Sequence, residues 1–100
     1  MSKKNPVKLI SLYLSEVLYN RLHALLQESN KKSLNALIVA LVSNFLSIKS
    51  FKPIKSSKDP KDTRISFYCP LELYENLQIL AKEHDRSMSY IINTILLSII

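Results

Sequence analysis

The sequence predicts an α+β domain in which two strands form a small antiparallel sheet that packs on four helices. The first observation behind this prediction is a repeat: residues 9–15, Leu-Ile-Ser-Leu-Tyr-Leu-Ser, return as residues 64–70, Arg-Ile-Ser-Phe-Tyr-Cys-Pro. The second is that each run is followed by two stretches whose apolar residues recur at helical spacing. The chain has 100 residues, of which 47% are hydrophobic, enough for one compact domain. We therefore expect strand, helix, helix, twice over, with both copies packed together.

Each copy opens with a strand in which two kinds of side chain alternate. The apolar side, which we expect to face the core, comprises Ile10, Leu12, Leu14, Ile65, Phe67 and Cys69. The other side, which we expect to face outward, comprises Leu9, Ser11, Tyr13, Arg64, Ser66 and Tyr68. A lone strand is unstable, so the two strands are expected to pair with each other, antiparallel. If Ser11 faces Ser66, then Leu9 lies across from Tyr68. Tyr13 then lies across from Arg64.

The helices follow from apolar spacing. The first helix of each copy is marked by Leu18, Leu22, Leu25 and Leu26, and by Leu73, Leu77, Leu80 and Ala81. The second is marked by Leu34, Leu37, Ile38, Leu41, Val42, Phe45 and Leu46, and by Met88, Ile91, Ile92, Ile95, Leu96, Ile99 and Ile100. Ser33 and Ser87 are N-cap residues by type and position. The chain contains no glycine, so Asn30 and Asp85 are the residues expected to adopt positive φ in the turns.

Charge and composition separate the two copies and indicate a class of partner. Residues 7–47 form repeat 1, residues 48–62 a basic linker, and residues 63–100 repeat 2. The net charge of +6 indicates a polyanionic partner. Much of it lies in an N-terminal arm and in the linker, at Lys3, Lys4, Lys49, Lys52, Lys55, Lys58 and Lys61. In a polyproline II segment the linker lysines would align along one edge and could track phosphates. We favour a solvated tether.

Other function classes find little support in the sequence. A single cysteine allows no internal disulfide and no metal-ligand cluster, and a chain without glycine cannot form a glycine-rich phosphate loop. The sequence around His23 and His84 shows no paired carboxylate or cysteine at ligand spacing. We therefore expect no catalytic residues, metal, cofactor or small-molecule substrate. Residues 34–42 and 91–100 are apolar, but too short or too interrupted to span a membrane, and are expected to be buried helices.

The pattern resembles a known family. The second copy reads Arg64-Ile-Ser-Phe-Tyr-Cys-Pro70, then Leu71-Glu-Leu-Tyr-Glu-Asn-Leu77, and later Asp85-Arg-Ser-Met-Ser89. These three segments are similar to the strand, first helix and turn of the ribbon-helix-helix (Arc/MetJ-type) DNA-binding proteins. The first copy matches with Ser15 in place of Pro70 and with Asn30-Lys-Lys-Ser33 in its turn. Family members are usually homodimers of one such unit. This chain resembles a tandem form, a pseudo-dimer in which one polypeptide supplies both halves.

The resemblance implies two kinds of DNA contact. The outward side of the ribbon would read the major groove: Arg64 could bond to guanine, the serine and tyrosine hydroxyls could donate or accept, and Leu9 could contact a thymine methyl. Because the two halves differ, the preferred DNA need not be a perfect palindrome. The start of each second helix would hold a phosphate. That second site comprises Lys31, Lys32, Ser33, Leu34, Asn35, Arg86, Ser87, Met88 and Ser89.

These inferences predict a sequence-specific, double-stranded-DNA-binding transcriptional regulator, located in the cytoplasm on DNA, whose pseudo-dimers could associate along the duplex. In style the chain is similar to small regulators of archaeal viruses or plasmids, and the cytoplasm would then be the host's. One alternative is an architectural or relaxosome-type protein that coats DNA. Another is an antitoxin-like protein–protein module. Such modules usually add a tail after the second helix, whereas here the core pattern runs to Ile100, which favours DNA binding.

Overall fold

A computed structural model describes residues 7–48 and 63–99 of the chain. The elements are β1 (Val7–Leu14), α1 (Glu16–Glu28), α2 (Leu34–Ile48), β2 (Thr63–Pro70), α3 (Leu71–His84) and α4 (Met88–Ile99). The fold is α+β, as predicted, with one two-stranded antiparallel sheet and four helices. Ile48, which the sequence placed in the linker, is the last residue of α2. The rest of the linker, the N-terminal arm and Ile100 lie outside the described residues.

The two strands pair over their whole length in the predicted register. Ser11 lies opposite Ser66, its own counterpart in the repeat. Leu9 lies opposite Tyr68, and Tyr13 lies opposite Arg64. Because successive side chains point to opposite faces of a strand, this register places the predicted core-facing residues of both strands on the same side: Ile10, Leu12, Leu14, Ile65, Phe67 and Cys69. The expected pairing is confirmed.

The apolar side of the sheet covers one side of the hydrophobic core. Leu12, Leu14, Phe67 and Cys69 are fully buried, and they pack with residues of all four helices. Burying one such leucine or phenylalanine side chain contributes about 1.5–3 kcal/mol. The same burial raises the pKa of the Cys69 thiol to about 11, so this cysteine is a small apolar core residue, as predicted.

Local sequence explains where the helices begin. Ser15 caps α1: its Oγ accepts a hydrogen bond from the Leu18 N–H at 3.2 Å. Pro70, with a fixed φ and no N–H, ends β2 and leads directly into α3 without a side-chain cap. Ser33 and Ser87 cap the second helices as predicted. Their Oγ atoms accept from the amides three residues on, at Ala36 and Tyr90, each at 3.1 Å.

The two helix–helix turns differ. In residues 85–87, Asp85 adopts φ 53° and ψ 48°, as predicted, and the Arg86 N–H reaches back to the Ala81 carbonyl at 2.9 Å. The expectation of positive φ at Asn30 is wrong, because Asp85 is the only such residue in the described part of the chain. The first turn, residues 29–33, is longer and passes through extended backbone at Ser29. The Ser29 Oγ donates to the Leu26 carbonyl at 3.1 Å and accepts from the Lys31 N–H at 3.2 Å, so no left-handed residue is needed.

The second helices are not equally buried. In α2 only Leu37, Ile38 and Val42 are buried, whereas in α4 every residue from 91 to 96 is buried. That stretch includes the polar Asn93, which is 3% exposed. Ile99, predicted to belong to the core, is 40% exposed at the end of α4. Among the helices described, none is long and apolar enough to cross a membrane.

Candidate functional site

The candidate site begins with the outward face of the β1–β2 ribbon. Its six predicted members are all exposed: Leu9, Ser11, Tyr13, Arg64, Ser66 and Tyr68. The structure adds a residue that the sequence interpretation omitted, since Val7, on the same side of β1, is 52% exposed. Exposed fractions of 62% for Leu9 and 53% for Tyr68 show that large apolar side chains here face solvent. Half of the large hydrophobic side chains that are exposed in the described residues lie on this face.

Arg64 lies across the ribbon and does not extend away from it. Its Nη2 donates a hydrogen bond to the Ser11 Oγ at 3.0 Å. Ser11 is not its direct cross-strand neighbour, which is Tyr13, so the bond runs diagonally toward the Ser11–Ser66 pair. A guanidinium carries five N–H donors, and this bond uses one of them. The remaining donors are left for another acceptor on the outward face.

The start of α2 is attached to the outer edge of β2. The Asn35 Nδ2 donates to the Tyr68 carbonyl at 2.9 Å, and its Oδ1 accepts from the Tyr68 N–H at 2.7 Å. Asn35 is one of the residues predicted to contact phosphate through a backbone amide. Its side-chain amide is committed to the strand, so the backbone amide is the group that remains for that contact.

The start of α4 is attached to the outer edge of β1 by a different pair of side chains. The Ser89 Oγ accepts from the Tyr13 N–H at 3.1 Å. The Asn93 Nδ2 donates to the Tyr13 carbonyl at 2.8 Å and to the Ser89 carbonyl at 2.8 Å. Two residues therefore do on this side what Asn35 does alone on the other. In both halves, the backbone of the ribbon tyrosine is the group that is held.

These attachments place both helix starts beside the ribbon. The first N–H groups of a helix have no partner within the helix, and the serine caps accept from the third amide only. The remaining first-turn amides, those of Leu34, Asn35, Met88 and Ser89, can meet an anion with the help of the helix dipole. The side chains of Leu34 and Met88 pack against the core, so only their backbones can take this role.

The basic residues near these helix starts are exposed. Lys31, Lys32 and the cap Ser33 are exposed before α2, as are Arg86 and Ser87 before α4. The Arg86 guanidinium lies over the Tyr90 ring, 5.2 Å from its centroid, in the range of a cation–π contact. Each flank of the ribbon therefore combines positive charge with directed amides. The predicted lysines of the arm and linker lie outside the described residues.

A second residue that sequence reasoning missed is Asn93. The sequence interpretation described residues 91–100 only as an interrupted apolar run, yet Asn93 is buried and holds the edge of β1. The available signal was its position within the apolar α4 pattern, because a buried amide requires hydrogen-bond partners.

The two histidines lie in the first helix of each copy, His23 in α1 and His84 in α3. His23 packs edge-to-face on Tyr19, with ring centroids 4.5 Å apart, and His84 ends α3. No group of three or more His, Cys, Asp or Glu residues that could hold a metal occurs in residues 7–48 and 63–99. The chemistry that this part of the chain displays is therefore that of hydrogen-bonding and apolar contact on the ribbon, flanked by two cationic helix starts.

Comparison with known proteins adds no relative to this description. No protein-family model, no curated protein and no solved structure matches the chain.

Proposed function

We propose that the protein is a sequence-specific double-stranded-DNA-binding regulator of the ribbon-helix-helix type, in which one chain supplies both halves of a pseudo-dimer. The observation that carries the proposal is the outward face: six exposed side chains in cross-strand register, with a helix start attached at each edge of the ribbon. A two-stranded ribbon fits the major groove, where each base pair presents a distinct pattern of donors, acceptors and methyl groups.

The face has the chemistry that base reading needs. Arg64 can bond bidentately to guanine O6 and N7, and exposed serine and tyrosine hydroxyls can donate or accept. Exposed apolar side chains such as Leu9 can contact thymine methyl groups. A merely solvated sheet face does not require two tyrosines and a leucine at these exposed positions. Their exposure is therefore better explained by a partner surface.

The helix starts supply the contacts that carry no sequence information. Phosphates on either side of the groove would meet the first-turn amides of α2 and α4, together with Lys31, Lys32 and Arg86. Because Asn35, Ser89 and Asn93 hold these helix starts against the strands, the ribbon and both phosphate contacts would dock as one rigid unit. Occupancy of an operator by this unit is the mechanism of regulation that we propose.

The experiment compares three variants on two duplexes. The preferred duplex is first selected from randomised DNA, and a scrambled duplex serves as its reference. Arg64→Ala should cost about 1–3 kcal/mol on the preferred duplex and far less on the scrambled one, because it removes a base contact. Lys32→Ala should weaken both by similar factors, since phosphates are common to all sequences. Arg21→Ala, an exposed arginine of α1 outside the site, is the matched control and should change neither.

Two outcomes would contradict the proposal. If Arg64→Ala weakens both duplexes equally, the ribbon does not read bases, and an architectural or coating role takes its place. If the protein binds neither duplex and instead binds a protein partner, the antitoxin-like alternative is favoured.

A further inference from the structure

The two ends of the ribbon carry different chemistry although their backbones match. Ser11 and Ser66 occupy equivalent positions in the repeat, as do Tyr13 and Tyr68, and each pair is identical in residue type. The exception is the third pair of equivalent positions, where one copy has Leu9 and the other has Arg64. One end of the outward face therefore presents an apolar side chain where the other presents a charge.

The charged end is organised by Ser11. The 3.0 Å hydrogen bond from the Arg64 Nη2 to the Ser11 Oγ directs the guanidinium toward the Ser11–Ser66 pair near the middle of the β1–β2 ribbon. On a bound duplex, its remaining N–H groups would lie beside the centre of the site and not at its periphery. A planar guanidinium with paired donors matches the O6 and N7 acceptors of guanine.

The opposite end has the properties of a methyl-contacting surface. Val7, Leu9 and Tyr68 are 52%, 62% and 53% exposed there. The lysine between the first two points to the other side, where the Lys8 Nζ lies 6.0 Å from the Tyr74 ring centroid. Aliphatic side chains packed against the edge of a G·C pair would leave the polar atoms of that base pair without hydrogen-bond partners. A thymine instead presents a methyl group.

We propose that the protein recognises a non-palindromic site, with one guanine beside the centre read by Arg64 and a thymine-rich half contacted by Val7, Leu9 and Tyr68. Ser11 is the positioning residue of the guanine contact. This inference rests on the proposed function and adds the base composition of each half. An asymmetric protein can dock on a duplex in either orientation. The asymmetry of recognition is therefore expressed in the base sequence of the preferred site.

The test makes the ribbon symmetric in two ways and reads out the preferred sites. Wild type, Leu9→Arg and Arg64→Leu are each used to select binders from one pool of randomised duplexes, followed by sequencing. The wild type should enrich a site with guanine on one side only. Leu9→Arg gives both ends an arginine, with Ser66 placed to hold the new one as Ser11 holds Arg64, and should enrich a palindrome with guanine on both sides. Arg64→Leu should enrich a palindrome without that guanine.

A second comparison tests the positioning role. Ser11→Ala should reduce discrimination between the guanine site and the same site with adenine, within a total Arg64 contribution of about 5- to 150-fold. Ser11→Thr keeps the hydroxyl and should restore the discrimination between guanine and adenine. Thermal melting of Ser11→Ala, Ser11→Thr and the wild type separates positioning from folding.

The outcomes distinguish this inference from the function on which it rests. A symmetric wild-type site, or variants that select the wild-type site, would overturn the asymmetric recognition while leaving a DNA-binding regulator in place. No enriched sequence with any of the three folded proteins would overturn both. Thermal melting of each variant confirms that it is folded before selection.

Discussion

The side-chain amide of Asn35 is hydrogen-bonded to both backbone groups of Tyr68, 2.9 Å from the carbonyl and 2.7 Å from the N–H. These groups lie on the edge of β2 that β1 does not pair. An open strand edge is a template for pairing with another chain. Asn35 covers part of that edge and fixes the start of α2 against the ribbon, so one side chain both occupies an open strand edge and places the candidate phosphate contact.

Asn35→Ala removes both hydrogen bonds and should lower the free energy of unfolding by about 1 kcal/mol, because water replaces them incompletely. It should also accelerate hydrogen exchange at the Tyr68 amide well beyond the global change. Urea denaturation and amide exchange by NMR measure the two effects. Asn44→Ala, an exposed asparagine on the same helix, is the matched control. Equal protection of the Tyr68 amide in both variants would show that the bond contributes nothing.

The turns give a second prediction, from the contrast between Asp85 and Asn30. Asp85 has φ 53°, a conformation that costs a non-glycine residue about 1 kcal/mol, whereas Asn30 does not have positive φ. Asp85→Gly should therefore leave stability unchanged or raise it. Asn30→Gly should lower it by about 0.5–1 kcal/mol, because glycine adds freedom to the unfolded chain without relieving strain. Denaturant midpoints compare the two variants, and a gain at both positions would contradict the assigned turn geometry.

The strand register was predictable from the sequence, and the reason is physical. Alternation in both copies requires an antiparallel pairing with Leu12 and Phe67 on the same side, and pairing Ser11 with its counterpart Ser66 satisfies this requirement. A slip of one residue would have turned the apolar positions of one strand to solvent. Capping by Ser33 and Ser87 was predictable because it is local, within three residues of each serine.

The attachments of the helix starts were not predictable in this way. Asn35 bonds to a backbone 33 residues away, and Asn93 to one 80 residues away. Hydrophobic periodicity states which face of a helix is apolar, but not where a polar side chain on that helix finds a partner. The diagonal bond of Arg64 was missed for the same reason, because cross-strand register alone places it beside Tyr13.

Cys69 gives a pH dependence with a defined sign. Burial raises the pKa of its thiol from 9.0 to about 11, so the folded state retains the proton more strongly than the unfolded state. The resulting stabilisation is complete below about pH 9 and decreases as the pH rises toward about 11.

Comparison of the wild type with Cys69→Val isolates this effect, because the two proteins differ at no other residue. The difference in unfolding free energy should be constant below about pH 9 and should then shift against the wild type, by at most about 1.4 kcal/mol per pH unit. Urea titrations across that range measure it. A difference that stays flat to the highest pH at which both proteins fold would show that the thiol is not protected by the core.

The last prediction concerns the pairing of β1 with β2 within one chain. Because both strands belong to the same polypeptide, the melting temperature of the intact protein should not change with dilution. A protease site placed within residues 49–62, which lie outside the apolar patterns of both copies, allows the two copies to be separated covalently. After cleavage the copies associate as two chains, so mass action should make the melting temperature fall with each dilution.

Circular dichroism melts of the same sample before and after cleavage, over a broad range of concentrations, measure both behaviours. An intact protein that melts at lower temperature on dilution would show that β1 pairs with β2 of another molecule, and the pseudo-dimer would have to be abandoned.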